Sequence, residues 1–410
     1  MAKPKDSTVI KTFEYRLRAN KKFVAACEKT LEQARFVYNC ALEHRITHYR
    51  ATGQSLSLFE QSRQLTEARN ELPEVKSCLR SIQTDALDKL DEAFQAFFRR
   101  LKAGQKAGFP RFKARERYHT FSQQIEKQRG CPLKGDKLTV PGVGTCRVRL
   151  SRPIEGTVKH LRITRRANGW FALLVCELPK PAPLPRTGLS VGVDVGIKEF
   201  ATLSTSETIA NPRHLQQAAD KLAKLQRRLS KKKKGSQRRA KAKQKVALAH
   251  LKVSNTRKDF HHKVSTDLVN RFDVIRVEEL NIKGMVKNPR LSKSILDVAW
   301  SQFFLITQSK AENAGRVFEK VPAAYTSQTC SQCGHRQKMP LKVRTFECGN
   351  CLFVIDRDHN AAINLLNTPE RGGIKARGDA IAHLRSGNVM AETSAAPLGA
   401  ERVAFSHLRR

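Results

Sequence analysis

The stretch CGNCLFVIDRDHNAAINLL (residues 348–366) joins a cysteine pair, two close aspartates and a helix-like run. Cysteine pairs commonly hold a metal for structure, and close carboxylates commonly hold one for chemistry. Upstream, CSQC (residues 330–333) supplies a second pair, with 14 residues between the two. The spacing of Cys330, Cys333, Cys348 and Cys351 is that of a four-cysteine zinc ribbon. Each CxxC turn can place two thiolates about one metal, and two turns complete a tetrahedron. Four thiolates leave no open position, so this Zn²⁺ is expected to be structural. Two unrelated or redox-active pairs are the competing reading. Cys27, Cys40, Cys78, Cys131, Cys146 and Cys176 stand singly and read as ordinary buried side chains.

Acids recur beside apolar runs. Asp194 sits among the valines of VGVDVG, Glu278 and Glu279 end FDVIRVEEL, and Asp356 and Asp358 open the helical run HNAAINLL. An acid on an apolar strand is costly unless it is paired or binds metal. Taken singly, Asp194 could be a turn residue before Gly196, the glutamates a solvated strand end, and either aspartate a helix N-cap. Together, in the order strand, later strand, C-terminal helix, they suit a ribonuclease H-like core, where three carboxylates converge on two Mg²⁺ ions about 4 Å apart.

The charge balance points the same way. The 410 residues carry 77 Lys and Arg against 37 Asp and Glu, a net charge of +40, which implies a polyanionic partner. No apolar run approaches the ~18 residues of a spanning helix. MAKPKDSTVIKTFEYRL lacks the apolar region of a signal peptide. Nucleic acid is therefore preferred to a membrane, and a cytoplasmic, nucleoid-associated protein is expected.

Along the chain, residues 8–18 alternate as a strand and residues 22–50 and 57–103 read as amphipathic helices. Short strands follow over 118–178 and suit a small barrel or sheet. PKPAPLPRTG (179–188) reads as a linker. Residues 189–204 read as two strands around Gly196, 213–264 as a basic helical hairpin broken at Gly235 and Ser236, 272–280 as a buried strand, 294–315 as one helix and 316–323 as a strand. In the hairpin, ten of the 17 residues from Arg227 to Lys243 are basic. They repel one another unless phosphates neutralise them. Arg227, Arg228, Lys231, Lys232, Lys233, Lys234, Arg238 and Arg239 are the candidate backbone contacts. Arg111 and Lys113 join them from GFPRFKARERYHTF, whose Phe109, Phe112, Tyr118 and Phe121 could stack on unpaired bases or belong to a core.

The motifs GVDVGIKEFATLS, VEELNIKGM, TSQTCSQCG and DRDHNAAINLL together resemble TnpB, the OrfB-type protein of small bacterial insertion sequences. ARFVYNCALEHR and GFPRFKARER resemble it too, so the likeness covers roughly residues 10–370. That family is related to the type V CRISPR effector nucleases. The resemblance implies an RNA-guided DNA endonuclease with one RuvC-like, Mg²⁺-dependent site. A guide RNA from the transposon end would pair with target double-stranded DNA beside a short transposon-adjacent motif, with no small-molecule cofactor. The catalytic acids would fall on Asp194, Glu278 and Asp358, with Glu279 and Asp356 as neighbours, and the zinc ligands on the four paired cysteines. Leu352 departs from the family, which often has Gly after the last cysteine; that residue only shapes the knuckle.

The implied fold class is multidomain α/β. A β-barrel wedge domain would take residues 1–18 and 116–180, and a helical recognition domain 19–115. After a linker (181–188), the ribonuclease H-like (RuvC) core would take 189–327 and 353–370, with the zinc ribbon at 328–352 inserted and a disordered tail over 371–410. A transposase or transposition regulator of the same element, or a non-cutting RNA-guided DNA-binding protein, would be the alternatives.

Overall fold

A computed structural model describes residues 8–125, 130–322, 325–340 and 343–368; the expected tail at 371–410 lies outside them. The chain divides after Lys180 into two compact units. Among the described residues, no helix is long and apolar enough to cross a membrane.

In the first unit, strand β1 (Thr8–Arg18) is followed by helices α1 (Lys21–Thr52), α2 (Leu58–Glu71), the single turn α3 (Pro73–Lys76) and α4 (Arg80–Lys102). The chain then returns as β2 (Thr120–Gln124), β3 (Leu133–Lys134), β4 (Lys137–Val140), β5 (Gly144–Arg149), β6 (Thr157–Arg166) and β7 (Gly169–Pro179). The sheet order is β2-β6-β7-β1-β5-β4-β3. The first strand is thus central, antiparallel to β7 and to β5. Its alternation works as read: Phe13, Tyr15 and Leu17 are buried. Among the described residues β2 and β3 are the sheet's edges, so the sheet is open rather than a closed barrel. Helix α1 starts at Asn20, whose side chain accepts from the Phe23 amide at 2.8 Å, and ends at Gly53 with φ 72°. Serine 57 and Glu60 form a reciprocal capping box on α2.

The second unit holds β8 (Ser190–Val195), β9 (Glu199–Leu203), β10 (Thr208–Ala210), α5 (His214–Gln217), α6 (Ala219–Ser230), α7 (Gln237–Arg271) and β11 (Val274–Glu279). Then come α8 (Ile282–Met285), α9 (Ser292–Val298), α10 (Trp300–Ala314), β12 (Val317–Pro322), the small hairpin β13 (Thr345–Glu347) and β14 (Val354–Asp356), and α11 (Arg357–Asn367). The five-stranded sheet runs β10-β9-β8-β11-β12; β8, β11 and β12 are parallel, and β9 and β10 antiparallel. Side chains alternate between its faces. Val191, Val193, Val195, Ile275 and Val277 join Leu268 of α7 and Phe303 of α10 in one core. Gly192, Asp194, Arg276 and Glu278 belong to the opposite face.

The proline-rich stretch is a linker only in part. The Leu184 amide donates to Ala314 O at 2.9 Å, and buried Arg316 donates to Pro185 O at 2.8 Å and pairs with Asp273. Asp273 also accepts from the amides of Thr187 and Gly188. From Leu184 onward the segment is strapped to the second unit.

The basic hairpin bends where expected. Gly235 has φ 84°, and the Ser236 hydroxyl accepts from the Arg239 amide at 3.1 Å to start α7. The helix expected over 294–315 is instead broken at Ala299, which is left-handed at φ 52°. Side chains of α7 take up the carbonyls at the break. Arg257 donates to Leu296 O and Asp297 O, and His261 Nε2 pairs with Val298 O at 2.9 Å. Those tertiary partners make the break affordable, and nothing local in the sequence announces them.

His261 is fully buried among Phe200, Phe260 and Phe303. Burial pushes its imidazole down to about 4. The folded chain keeps it neutral while the unfolded chain protonates near 6.5, so its stabilising effect is complete above 6.5 and lost as pH falls toward 4. Denaturant unfolding should lose about 2 kcal/mol between pH 7 and pH 5 through this group alone. The variant His261→Gln should lack that part of the pH slope.

Candidate functional site

Helix α11 crosses the second face of the sheet. A Cβ on Gly192 would stand 2.0 Å from Ala362 O and 2.8 Å from Leu366 N, so only glycine admits the helix this close to β8. At the helix's far end, Arg276 of β11 donates to Leu366 O and Thr368 O. The near end carries Asp358 in its first turn. Asp356 is the N-cap, accepting from the amides of Asp358 at 2.9 Å and His359 at 3.0 Å. Its side chain is thus engaged in the cap, while Asp358 projects from the helix.

Strand register supplies the partner acids. Val277 pairs with Val193 in parallel, so Glu278 and Asp194, one residue further on, share a face. Glu279 turns to the other face and is exposed. Burial raises the Asp194 carboxyl well above the ordinary range, the charges of Glu278 and Asp358 raise it further, and Arg357 opposes them. Burial raises Glu278 as well. Arg344 reaches Asp358 Oδ2 at 3.2 Å. This is a set of mutually repelling carboxylates with cations at its edge, and the all-oxygen donor set suits Mg²⁺.

The four cysteines form a tighter cluster. All four sulfurs lie within 4.8 Å of one another, with Cys330–Cys351 at 3.7 Å and Cys333–Cys348 at 3.5 Å. Tetrahedral Zn–S bonds of about 2.3 Å would put sulfurs about 3.8 Å apart, so the set fits Zn²⁺. Asn350 Nδ2 and the Cys351 amide donate to Cys333 Sγ and Cys348 Sγ. Leu352 is left-handed at φ 57° and 81% exposed.

Two asparagines tie this cluster to α11. Asn360, fully buried, accepts from the Ser331 amide at 2.9 Å and donates to Thr329 O at 2.8 Å. One turn on, Asn364 donates to Thr326 O and Thr329 O. The helix that carries Asp358 therefore grips the first cysteine knuckle directly. Sequence reasoning missed Gly192, Arg344, Asn360 and Asn364. The signal for the asparagines was two amides at i and i+4 among small apolar residues.

The basic candidates separate by environment. Arg227, Arg228, Lys231, Lys232, Lys233, Lys234 and Arg238 are exposed on the hairpin. Arg239 instead donates to Leu229 O and Lys232 O and closes the end of α6. In the first unit Arg111 is exposed. Lys113 lies over the Tyr38 ring at 5.5 Å with its backbone held by Asn39, and burial lowers its pKa. Phe109 and Phe112 are half exposed, whereas Tyr118 and Phe121 are core.

Comparison with known proteins agrees with this architecture. Residues 173–289 match a family described as "Probable transposase" (OrfB of IS605), and residues 300–365 match the Cas12f1-like TNB domain. Residues 7–54 match a helix-turn-helix family, although here they form one strand and one long helix. A Streptomyces pristinaespiralis protein named "Putative RNA-guided DNA endonuclease" is 33% identical over 366 residues, 87% of this chain and 89% of that one. One of Escherichia coli K12, with the same name and the suffix InsQ, is 29% identical, covering 87% and 92%. In fold, the chain is similar to Cas12f1 in a guide RNA and target DNA complex: TM-score 0.57, 14% identity, 88% of this chain and 99% of that one. The chain belongs to the OrfB-type TnpB family, which is related to the type V effectors.

Substituting Leu352→Gly should relieve the left-handed backbone and raise stability by about 1 kcal/mol, read by denaturant unfolding. No change would mean that the knuckle already tolerates the residue.

Proposed function

We propose that this chain is the RNA-guided DNA endonuclease of an insertion-sequence transposon, cutting double-stranded DNA beside a short transposon-adjacent motif. The observation that carries it is the gathering of Asp194, Glu278 and Asp358 on one face of a mixed sheet, in a family whose relatives bear that name. The second unit is read as a ribonuclease H-like (RuvC) core with a zinc ribbon inserted before its last helix. In the first unit, β1 to β7 are read as the wedge and α1 to α4 as the recognition lobe. The cationic hairpin would follow nucleic-acid backbone without reading bases. Its setting would be the cytoplasmic nucleoid.

Asp194, Glu278 and Asp358 would hold Mg²⁺, which supplies Lewis-acid activation of water and stabilises a leaving oxygen. The protein's own part is to hold three acids where their repulsion favours a bound cation. Buried Asp194 must lose its proton before it can act as a ligand, so protons and Mg²⁺ would compete for it and activity should fall at low pH. Arg344 must share Asp358 with any incoming cation. The four cysteines would hold one structural Zn²⁺, and Asn360 and Asn364 would transmit its rigidity to the helix bearing Asp358.

The direct test is to express the chain with the DNA that follows its gene, sequence the RNA that copurifies, and programme cleavage with it. One abundant RNA ending at the transposon boundary, with guide-dependent Mg²⁺-stimulated cutting, supports the proposal. Only random RNA, or only DNA bearing the element's ends, favours a transposase or a simple DNA binder. Replacing Asp194→Asn should lower cleavage more than about a hundredfold. The same variant should raise unfolding stability, because a buried, repelled carboxyl is gone. Cys348→Ser should lower cleavage more than it lowers guide-RNA binding; equal loss of both would mean global unfolding.

A further inference from the structure

Helix α1 carries the run CALEHRITH (residues 40–48), in which Cys40, His44 and His48 are spaced by four. Residues four apart share one helix face, so the three form a ridge. Cys40 and His44 are exposed and His48 is half-buried. The His44 and His48 rings meet edge to face with their centres 6.3 Å apart. Among the described residues, neither imidazole has a hydrogen bond or a salt bridge. Two imidazoles at i and i+4 have the spacing with which successive turns of a helix grip one metal ion. Imidazoles on one tetrahedral ion, with bonds of about 2.0 Å, have centres roughly 5 Å apart. The pair stands about 1 Å wider than that, a gap that side-chain rotation closes at an exposed site.

A third donor comes from α2. Gln61 pins the two helices together, accepting from Arg45 Nε at 2.7 Å and donating to Ala41 O at 2.8 Å. Arg45 follows His44 and Glu60 precedes Gln61, so this bond brings the Glu60 carboxylate beside the ridge. The capping box fixes it there, because Oε2 accepts from both the Ser57 amide and the Ser57 hydroxyl. Those two bonds hold its carboxyl below the usual carboxylate range, and His48 is close enough to lower it further. Both bonds fall on Oε2, so Oε1 is the oxygen that can serve an ion. Cys40 stands eight residues from His48, about 12 Å along the helix axis, and cannot share an ion with it. The donor set is therefore two ring nitrogens and one carboxylate oxygen. It suits a borderline ion such as Zn²⁺, Cu²⁺ or Ni²⁺ and not Mg²⁺, which prefers oxygen throughout.

We propose that His44, His48 and Glu60 form a transition-metal site in the first unit, distinct from the cysteine cluster. The ion bridges α1 to the first turn of α2 and braces the connection at 53–57 between them. The site uses neither guide nor substrate, so it stands apart from the nuclease reading.

The test is calorimetric titration of the full, untagged, zinc-loaded chain with Ni²⁺, with metal analysis to verify that the cysteine zinc stays in place. One equivalent of Ni²⁺ is expected to bind and to raise the melting temperature. His44→Ala and His48→Ala should each weaken binding by more than about tenfold. Glu60→Gln, which keeps the capping box, should weaken it by a smaller factor. Cys40→Ser should leave it unchanged. Binding unaltered in the two histidine variants would mean an adventitious ion only and overturn the proposal. Wild-type affinity in Glu60→Gln, or a loss in Cys40→Ser, would overturn it equally, since the ion would then sit elsewhere on the ridge.

Discussion

Helix α11 lies on β8 at a distance that only a glycine at position 192 permits. Much else in the second unit follows from that contact. It brings the first turn of the helix, with Asp358, to the end of the strand where Asp194 stands. It also fixes the height at which Asn360 and Asn364 meet the first cysteine knuckle. A methyl group at Gly192 would drive the helix off the sheet, and the acids and the knuckle would move with it. Interiors packed at crystal-like density do not yield an ångström locally without moving their neighbours.

The acidic face is built against the fold's own interest. Three carboxylates share it, one of them buried deeply enough that its proton is held well beyond the usual range. The opposite face of the same sheet carries the stabilising work, with valines and isoleucines packed on α7 and α10. Two cations at the edge, Arg344 and Arg357, moderate the repulsion without burying it in paired bonds. Functional sites are expected to store strain of this kind.

Positive charge is sorted as sharply. Exposed lysines and arginines crowd the turn between α6 and α7, where like charges repel, while Arg239, Arg257 and Arg316 are withdrawn to close helix ends and strap the segment after the first unit. Composition alone counts these as equal, but their environments make one group available to a polyanion and the other part of the framework.

The periods and spacings were legible in the sequence because they are local. Alternation marked β1 and β11, whereas the choice of Glu278 over Glu279 came from the family resemblance and the strand register placed it on the face shared with Asp194. The CxxC spacing marked the cysteine cluster, and Gly235 with Ser236 marked the hairpin turn. Residue types in order also marked the three acids, because a carboxylate amid buried valines needs a reason. Tertiary structure decided what depends on distant partners. Helix α10 begins at Trp300 and not at 294 because Arg257 and His261, some 40 residues away in sequence, accept the task of satisfying the carbonyls at the break. Leu352 proved to sit in a left-handed turn, which only the closed knuckle imposes. Asn360 and Asn364 look like ordinary helix-surface amides until the knuckle arrives to bond them. Sequence periodicity records which side of an element is buried; it does not record which neighbour buries it, and that neighbour sets the geometry of the site.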